Sequence, residues 1–207
     1  TIINLAFLPN LNVNNTSHVH TYRGDGAILN QFTKAHALHV DEAAGYLYLY
    51  GSNLNGGRPL ILNLNTDPYN PTYAGYVNTN FTGSNYNYVH DGYASNNMLY
   101  AGHIYGGFFS IINTTNKTNP TLIATQNTPN NFTHNTWLNG SIMFTTDETS
   151  NSYLAAYDIS NTDNIRLLDK IQSNPGSNSI VHNTYIINNY AVTSWYKDGF
   201  TIVDVTR

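Results

Sequence analysis

A histidine followed by a short strand-like segment recurs four times along this chain of 207 residues. The intervals between these histidines are 54, 44 and 48 residues. Repeats of roughly 40–50 residues are typical of β-propellers, in which each repeat forms one four-stranded blade. The recurring residues are His36, His90, His134 and His182, and they define repeat units near residues 36–77, 90–126, 134–172 and 182–206.

Within each unit, apolar and polar residues alternate with the period of a strand that buries one face. Tyr46–Tyr50 shows this alternation clearly, and turn-forming residues such as Asn65–Pro68 separate one such segment from the next. A helical period is absent from the sequence. We therefore predict an all-β fold, a β-propeller of four-stranded antiparallel blades with about four blades in this chain. A stacked solenoid is the alternative architecture.

The fourth unit offers fewer strand-like segments than the other three, which leaves two interpretations of residues 1–207. In the first, Thr1–Phe7 supplies the missing strand and the whole chain is one propeller domain. In the second, the chain is a fragment of a larger propeller. Residues 12–35 have no predicted place in either arrangement.

Composition excludes several classes of function. The chain contains 33 Asn, no Cys and only 10% charged residues, with a formal net charge of −4. No run of Lys or Arg marks a nucleic-acid surface, and no apolar stretch approaches the ~18 residues of a membrane-spanning helix. Its first residues lack the pattern of a signal peptide. A surface built on amides and hydroxyls is typical of bacterial secreted proteins, so we expect an extracellular or cell-surface location.

Ordered elements over residues 35–206 resemble a known family. They are Ala35–His36, Tyr48–Ser52, Val89–Asp91, Thr133–Trp137, Thr146–Glu148, His182–Asn183 and Ser194–Asp204. In this order they are similar to the LVIVD-repeat proteins, and more closely to the choice-of-anchor B domain of bacterial surface proteins. Two positions depart from the family pattern. Ala37 follows His36 where family members usually have Asn, and Val181 precedes His182 where they usually have Asp. The resemblance implies a cell-surface β-propeller that continues for about one more blade, and it implies no defined activity.

The recurring histidines are the main candidates for chemistry. If each begins the innermost strand of its blade, adjacent imidazoles converge at the central tunnel, where they could bind a divalent metal ion together with carboxylates. The alternative is structural, because a repeated hydrogen-bonding requirement also produces a repeated histidine. The candidate metal ligands are His36, His90, Asp91, His134, Glu148 and His182.

Other side chains have two possible roles. Tyr46, Tyr48 and Tyr50 share one strand face, and Trp137 and Trp195 follow strands that carry a repeat histidine or face a turn. These rings could stack on sugars, or the tyrosines fill the space between twisted blades. His39 is predicted to face away from His36 by strand parity, and His103 to pack in the core. Asp41–Glu42 is predicted to be a solvated turn. Asp147 and Glu148 are adjacent in a strand, so one is expected to face inward and the other solvent.

The function expected from these observations is a non-enzymatic binding or scaffold module, displayed outside a bacterial cell, that contacts a protein or a glycan. A metal-dependent hydrolase or oxidoreductase with the histidines as its active site is the alternative. Nucleotide-binding loops and hydrolase motifs are absent from the sequence, so we assign no catalytic or cofactor-binding residue. The sequence does not determine the oligomeric state.

Overall fold

The computed structural model describes residues 1–83 and 85–206, and over these residues the fold is all-β. Its strands form five antiparallel sheets, of which three have four strands, one has three and one has two. Three short 3-10 turns, at Leu5–Phe7, Gly26–Ile28 and Asn55–Gly57, are the helical elements of the described chain. The strands are β1 Ile2–Ile3, β2 Val19–His20, β3 Ala37–Asp41, β4 Tyr46–Tyr50, β5 Leu60–Asn63, β6 Thr72–Tyr76, β7 Asp91–Ser95, β8 Met98–His103, β9 Phe108–Asn113, β10 Thr121–Asn127, β11 Thr133–Asn139, β12 Ile142–Asp147, β13 Leu154–Asp158, β14 Arg166–Ile171, β15 Val181–Ile187, β16 Tyr190–Trp195 and β17 Gly199–Asp204.

Four of the sheets are consecutive blades, each a meander in which neighbouring strands are also neighbours in sequence. Blade 1 is β3–β6, blade 2 is β7–β10, blade 3 is β11–β14 and blade 4 is β15–β17. The first strands of the blades, β3, β7, β11 and β15, lie next to one another in that order and form the inner rim. The predicted β-propeller of four-stranded antiparallel blades is confirmed, and each repeat histidine lies at the start of an inner strand.

Asparagine makes the tight turns between these strands. Nine described residues other than glycine have a positive φ, and all nine are Asn. Asn96 and Asn97, at φ 52° and 60°, form the two-residue turn between β7 and β8. Asn tolerates this left-handed conformation better than other residues with a side chain, and two such residues give the turn that matches strand twist. Nine of the 33 Asn residues of the chain thus adopt a conformation that few other side chains tolerate.

Large side chains fill the space between blades 1 and 2. Tyr48 and Tyr50 are completely buried, and they pack in one cluster with Ile61, Leu99 and Ile112. The Tyr48 hydroxyl is 2.5 Å from Oγ1 of Thr114 in blade 2, so the phenol is hydrogen-bonded as well as enclosed. The packing interpretation of these tyrosines is confirmed, and the interpretation in which they grip sugar rings is wrong.

A buried carboxylate also joins blade 1 to blade 2. Asp41 is fully buried and accepts hydrogen bonds from the backbone N–H groups of Ala44 at 3.1 Å, Asn96 at 3.0 Å and Asn97 at 2.7 Å. The prediction of a solvated turn is therefore wrong for Asp41. A carboxylate with three N–H donors can stay buried because its hydrogen-bonding capacity is met.

The segment before blade 1 packs against that blade and does not complete the fourth one. Ile2–Ile3 pairs with Val19–His20, so the prediction that Thr1–Phe7 completes the fourth blade is wrong. Ile28 instead packs on Leu60 and Leu62 in a cluster on blade 1, to which Tyr22, Phe32 and Ala35 add partly buried side chains. Much of residues 12–35 thus covers a face of blade 1.

Across the described residues, no helix has the length and apolar character needed to span a membrane.

His103 is a buried core residue, as predicted. Its Nδ1 lies 2.7 Å from the Tyr86 carbonyl oxygen, which can only accept, so Nδ1 carries the proton. The Nε2 atom then accepts from the Ser110 hydroxyl at 2.8 Å. Burial lowers the pKa of His103 to about 4, and the ring is neutral at pH 7.

Acid should destabilise the protein through His103. Between pH 6.5 and about 4, the unfolded chain binds a proton at this residue and the folded chain does not, so stability falls as pH falls. We expect the free energy of unfolding to fall more steeply with falling pH in the wild type than in His103→Gln, in which the residue does not titrate. The extra fall should approach about 1.4 kcal/mol per pH unit once the pH is below 6.5. Urea unfolding at pH 7, 6 and 5 measures both slopes, and equal slopes would contradict the assignment.

Candidate metal centre

The four repeat histidines form a continuous row along the inner rim. The centroids of the His36 and His90 rings are 4.0 Å apart, those of His90 and His134 are 4.4 Å apart, and those of His134 and His182 are 4.3 Å apart. Each ring comes from a different blade, and each inner strand lies beside the next. The strand order thus brings together residues that are 44 to 54 positions apart in the chain.

Glu148 lies against the last two members of this row. It follows β12 directly, and its N–H donates to the Phe132 carbonyl at 3.1 Å. Its Oε2 is 3.6 Å from Nε2 of His134, and its Oε1 is 3.7 Å from Nε2 of His182. The hydroxyl of Tyr196 donates to Oε1 at 2.5 Å. One carboxylate is therefore placed between imidazoles of blades 3 and 4.

Three of these side chains meet the geometric requirement for binding one ion. Ligand atoms of His90, His134 and Glu148 all lie within 4.8 Å of one another. The Nδ1 atoms of His90 and His134 are buried and have no hydrogen-bond partner among the described residues. A buried polar atom without a partner costs free energy, so both Nδ1 atoms have an unmet hydrogen-bonding requirement in this arrangement.

The two central imidazoles are neutral over a wide pH range. Burial lowers the pKa of His90 to about 4, and the adjacent His36 contributes next. Burial also lowers the pKa of His134 to about 3, followed by the effects of His90, His182 and His36. A row of close imidazoles opposes protonation because each cation repels the next. Neutral imidazole is the form that binds metal ions.

Asp91, the remaining predicted ligand, has other partners. Its Oδ2 accepts from the Asn135 amide at 2.9 Å, and its Oδ1 accepts from the Gly92 N–H at 2.7 Å. Burial raises the pKa of Asp91. Its carboxylate does not belong to the group of ligand atoms formed by His90, His134 and Glu148. The structure thus brings five of the six predicted ligands into one row and gives Asp91 a supporting position beside it.

Asn135 joins three blades, and we did not predict its role. Its amide donates to Asp91 in blade 2, while its Oδ1 accepts from the Thr184 N–H in blade 4 at 3.1 Å. Asn135 itself belongs to blade 3 and is 3% exposed. The available signal was the His-Asn-Thr sequence, which occurs at His134 and again at His182.

Asp147 and Glu148, although adjacent in the chain, have different partners. Asp147 is fully buried and accepts from the hydroxyl of Thr128 and from the backbone N–H groups of Asn130 at 2.8 Å and Phe132 at 3.1 Å. It anchors the connection between blades 2 and 3, whereas Glu148 faces the histidines. Neither is the solvated neighbour that the parity of the strand predicted.

His39 also lies on an inner strand, β3, and its ring contacts differ from those of His36. Its ring is 4.6 Å from that of Tyr93 and 5.7 Å from that of Trp137. Its Nδ1 accepts from the Ala94 N–H at 3.2 Å. The side chains that follow the repeat histidines thus form a second set of ring contacts along the same rim.

Comparisons with known proteins identify a class of fold. No protein-family model and no curated protein matches the sequence. The designed protein Ika8 has a TM-score of 0.59 and 12% identity, over 88% of this chain and 48% of Ika8. The designed protein Ika4 has a TM-score of 0.59 and 12% identity, over 84% of this chain and 92% of Ika4. A candidate 6-phosphogluconolactonase of Bacteroides uniformis has a TM-score of 0.55 and 12% identity, over 87% of this chain and 56% of that protein.

These neighbours are propeller-like proteins, and the likeness places this chain in the β-propeller class. The chain spans about half the length of Ika8 and of the Bacteroides protein. Identities near one residue in eight show the fold alone and carry no activity across. No family model supports the narrower resemblance to choice-of-anchor B proteins.

Removing the Asn135 side chain should destabilise the protein. Asn135→Ala leaves the Asp91 carboxylate and the Thr184 N–H short of a partner, and we expect a loss of about 2–4 kcal/mol in the free energy of unfolding. Asn183→Ala is the matched control, because Asn183 has the same neighbours in sequence but its Oδ1 has no hydrogen-bond partner among the described residues. Chemical denaturation of both variants measures the difference, and equal losses would contradict the bridging role.

Proposed function

We propose that this β-propeller binds one divalent transition-metal ion at its inner rim, through His90, His134 and Glu148. The observation that carries the proposal is the 3.6 Å distance between Nε2 of His134 and Oε2 of Glu148. That distance is too long for a hydrogen bond. Two ligands bound at about 2.1 Å to one tetrahedral ion lie roughly 3.4 Å apart, so a shared ion fits the separation.

The donor set supports a particular range of ions. Two neutral imidazoles and one carboxylate suit zinc, iron, nickel or copper, and no thiolate ligand is available because the chain has no Cys. The low pKa values of His90 and His134 keep both rings in the neutral form that binds metal ions. His182, 3.7 Å from Glu148, is positioned to serve as a fourth ligand.

An ion held in this way would join three blades. His90 belongs to blade 2, His134 and Glu148 to blade 3, and His182 to blade 4. Metal binding would therefore stabilise the folded state by mass action, since the unfolded chain has no assembled site. This role agrees with a binding or scaffold module. We also propose an extracellular or cell-surface location, supported by the amide-rich composition and by the resemblance of residues 35–206 to surface proteins.

A metal-dependent enzyme is the second candidate, and one observation favours it. The His182 side chain is 41% exposed, so the side of the site that it occupies is reached by solvent. Catalytic zinc sites use three protein ligands and keep one position for water or substrate, whereas structural sites have four protein ligands. X-ray absorption at the zinc edge separates the two: four protein ligands support the scaffold, and three with one solvent oxygen support the enzyme.

Metal binding is tested with Zn²⁺ added to chelator-treated protein. We expect one equivalent to bind by titration calorimetry and to raise the melting temperature. Glu148→Gln should weaken binding by about tenfold or more, because it replaces a charged ligand by a neutral amide of the same shape. His182→Ala should weaken it less, since His182 is the outer member of the set.

Glu42→Gln is the control for Glu148→Gln, since Glu42 and Glu148 are the two glutamates of the chain. Glu42 follows the end of β3 opposite to His36 and is not in the group of ligand atoms, so the variant should bind Zn²⁺ as the wild type does. His20→Ala, outside the four-histidine row, is the corresponding control for His182→Ala. No binding by the wild type, or equal affinities in Glu148→Gln and Glu42→Gln, would overturn the proposal.

A further inference from the structure

We propose that a second row of rings, separate from the metal centre, binds a neutral oligosaccharide. Each inner strand carries a ring three residues after its repeat histidine. The four residues are His39, Tyr93, Trp137 and Tyr185. One ring for each blade at one position of the repeat gives the rim a continuous aromatic surface.

The rings of this second row contact one another across every blade junction. Their centroids are 4.6 Å apart for His39 and Tyr93, 5.1 Å apart for Tyr93 and Trp137, and 4.7 Å apart for Trp137 and Tyr185. Unlike Tyr48 and Tyr50, none of the four is fully buried, and Tyr185 is 48% exposed. Their outer surfaces therefore remain available to a ligand.

A cleft opens beside three of these rings. It has a volume of about 710 Å³ and is lined by His39, Tyr93 and Trp137 together with Glu42 and Ser95. Ligand sites in proteins commonly occupy 300–1,000 Å³ and combine apolar walls with a few polar groups. The volume of this cleft lies within that range.

The polar groups of the cleft have defined hydrogen-bonding capacity. The Nδ1 of His39 accepts from the Ala94 N–H, so in the neutral ring the proton is on Nε2, which is a donor. Burial lowers the pKa of His39 and maintains that neutral form. Glu42 offers a carboxylate acceptor. The Ser95 Oγ accepts from the Asn96 amide at 3.1 Å, which leaves its proton as a donor.

These features favour a sugar over other ligand classes. The apolar face of a pyranose packs on aromatic rings, while its hydroxyl groups both donate and accept hydrogen bonds. The cleft is lined by the Glu42 carboxylate and by neither Lys nor Arg, so phosphates, nucleic acids and acidic sugars would meet an uncompensated negative charge. A neutral saccharide satisfies the donors, the acceptor and the rings together. The row extends past the cleft to Tyr185, which favours more than one sugar unit.

The experiment uses five neutral hexasaccharides as probes: those of cellulose, chitin, xylan, β-1,3-glucan and α-mannan. Tryptophan fluorescence and titration calorimetry of the full chain measure binding up to millimolar concentrations. Trp137 is one of the two tryptophans, and the other, Trp195, is 3% exposed. We therefore expect at least one probe to change the emission of Trp137 on binding.

Variants locate the site. Trp137→Ala should weaken binding by about tenfold or more, as expected for the loss of one aromatic contact. Tyr185→Ala should weaken it by a smaller factor, and its exposed position makes this variant compatible with folding even if Trp137→Ala is not. Tyr190→Ala is the control, since Tyr190 is 49% exposed on blade 4 and lies outside the row.

Four results would overturn the inference. They are failure of every probe to bind, binding that is unchanged in both Trp137→Ala and Tyr185→Ala, binding of a heparin hexasaccharide in preference to all neutral probes, and loss of binding in Glu148→Gln. The last variant also separates this inference from the metal proposal. Sugar binding that persists in Glu148→Gln supports two independent sites, whatever the outcome of the Zn²⁺ titration.

Discussion

Polar side chains of the inner strands that hydrogen-bond to a neighbouring blade hold this structure together near its rim. Asn135 links Asp91 of blade 2 to Thr184 of blade 4, and the Thr136 hydroxyl donates to the Tyr100 carbonyl at 2.7 Å. His39 performs the same function between blades 1 and 2. These directional bonds fix the spacing of the inner strands, and with it the 4.0–4.4 Å separation of the histidine rings. The candidate metal centre depends on that spacing.

The repeat in the sequence was sufficient to predict the fold class and the histidine row. Strand alternation is visible within each short segment, and the period of 44 to 54 residues is visible in the spacing of the histidines. In a propeller, residues one period apart lie on adjacent blades and become neighbours in space. The parity argument failed at Asp147 and Glu148, where the end of β12 lies opposite an irregular part of β11. The pairing of β11 with β12 shifts between Thr133 and Asn135, and the pairing of β15 with β16 shifts between Val181 and Thr184. An extra residue at such a bulge changes which side chains share a face, and nothing in the sequence marks it.

Long-range partners were the other limit of prediction from sequence. Asp41 looked like a turn residue because its three N–H donors are local in one case and 55 to 56 residues away in the others. The place of residues 12–35 depends on apolar contacts with blade 1 that have no periodic signature. Glu148 was among the predicted ligands, and the structure places it beside His134 and His182. Tyr196, which donates to Glu148 from blade 4, has no signal in the sequence.

The scarcity of charged side chains determines how the stability of this protein responds to salt. Its surface presents amides and hydroxyls, with charged side chains making up only 10% of the sequence. Coulombic contacts between exposed charges are screened over about 10 Å at 0.1 M salt and about 3 Å at 1 M, whereas amide hydrogen bonds do not depend on that screening. A fold that relies so little on surface ion pairs should lose little stability when salt screens its exposed charges.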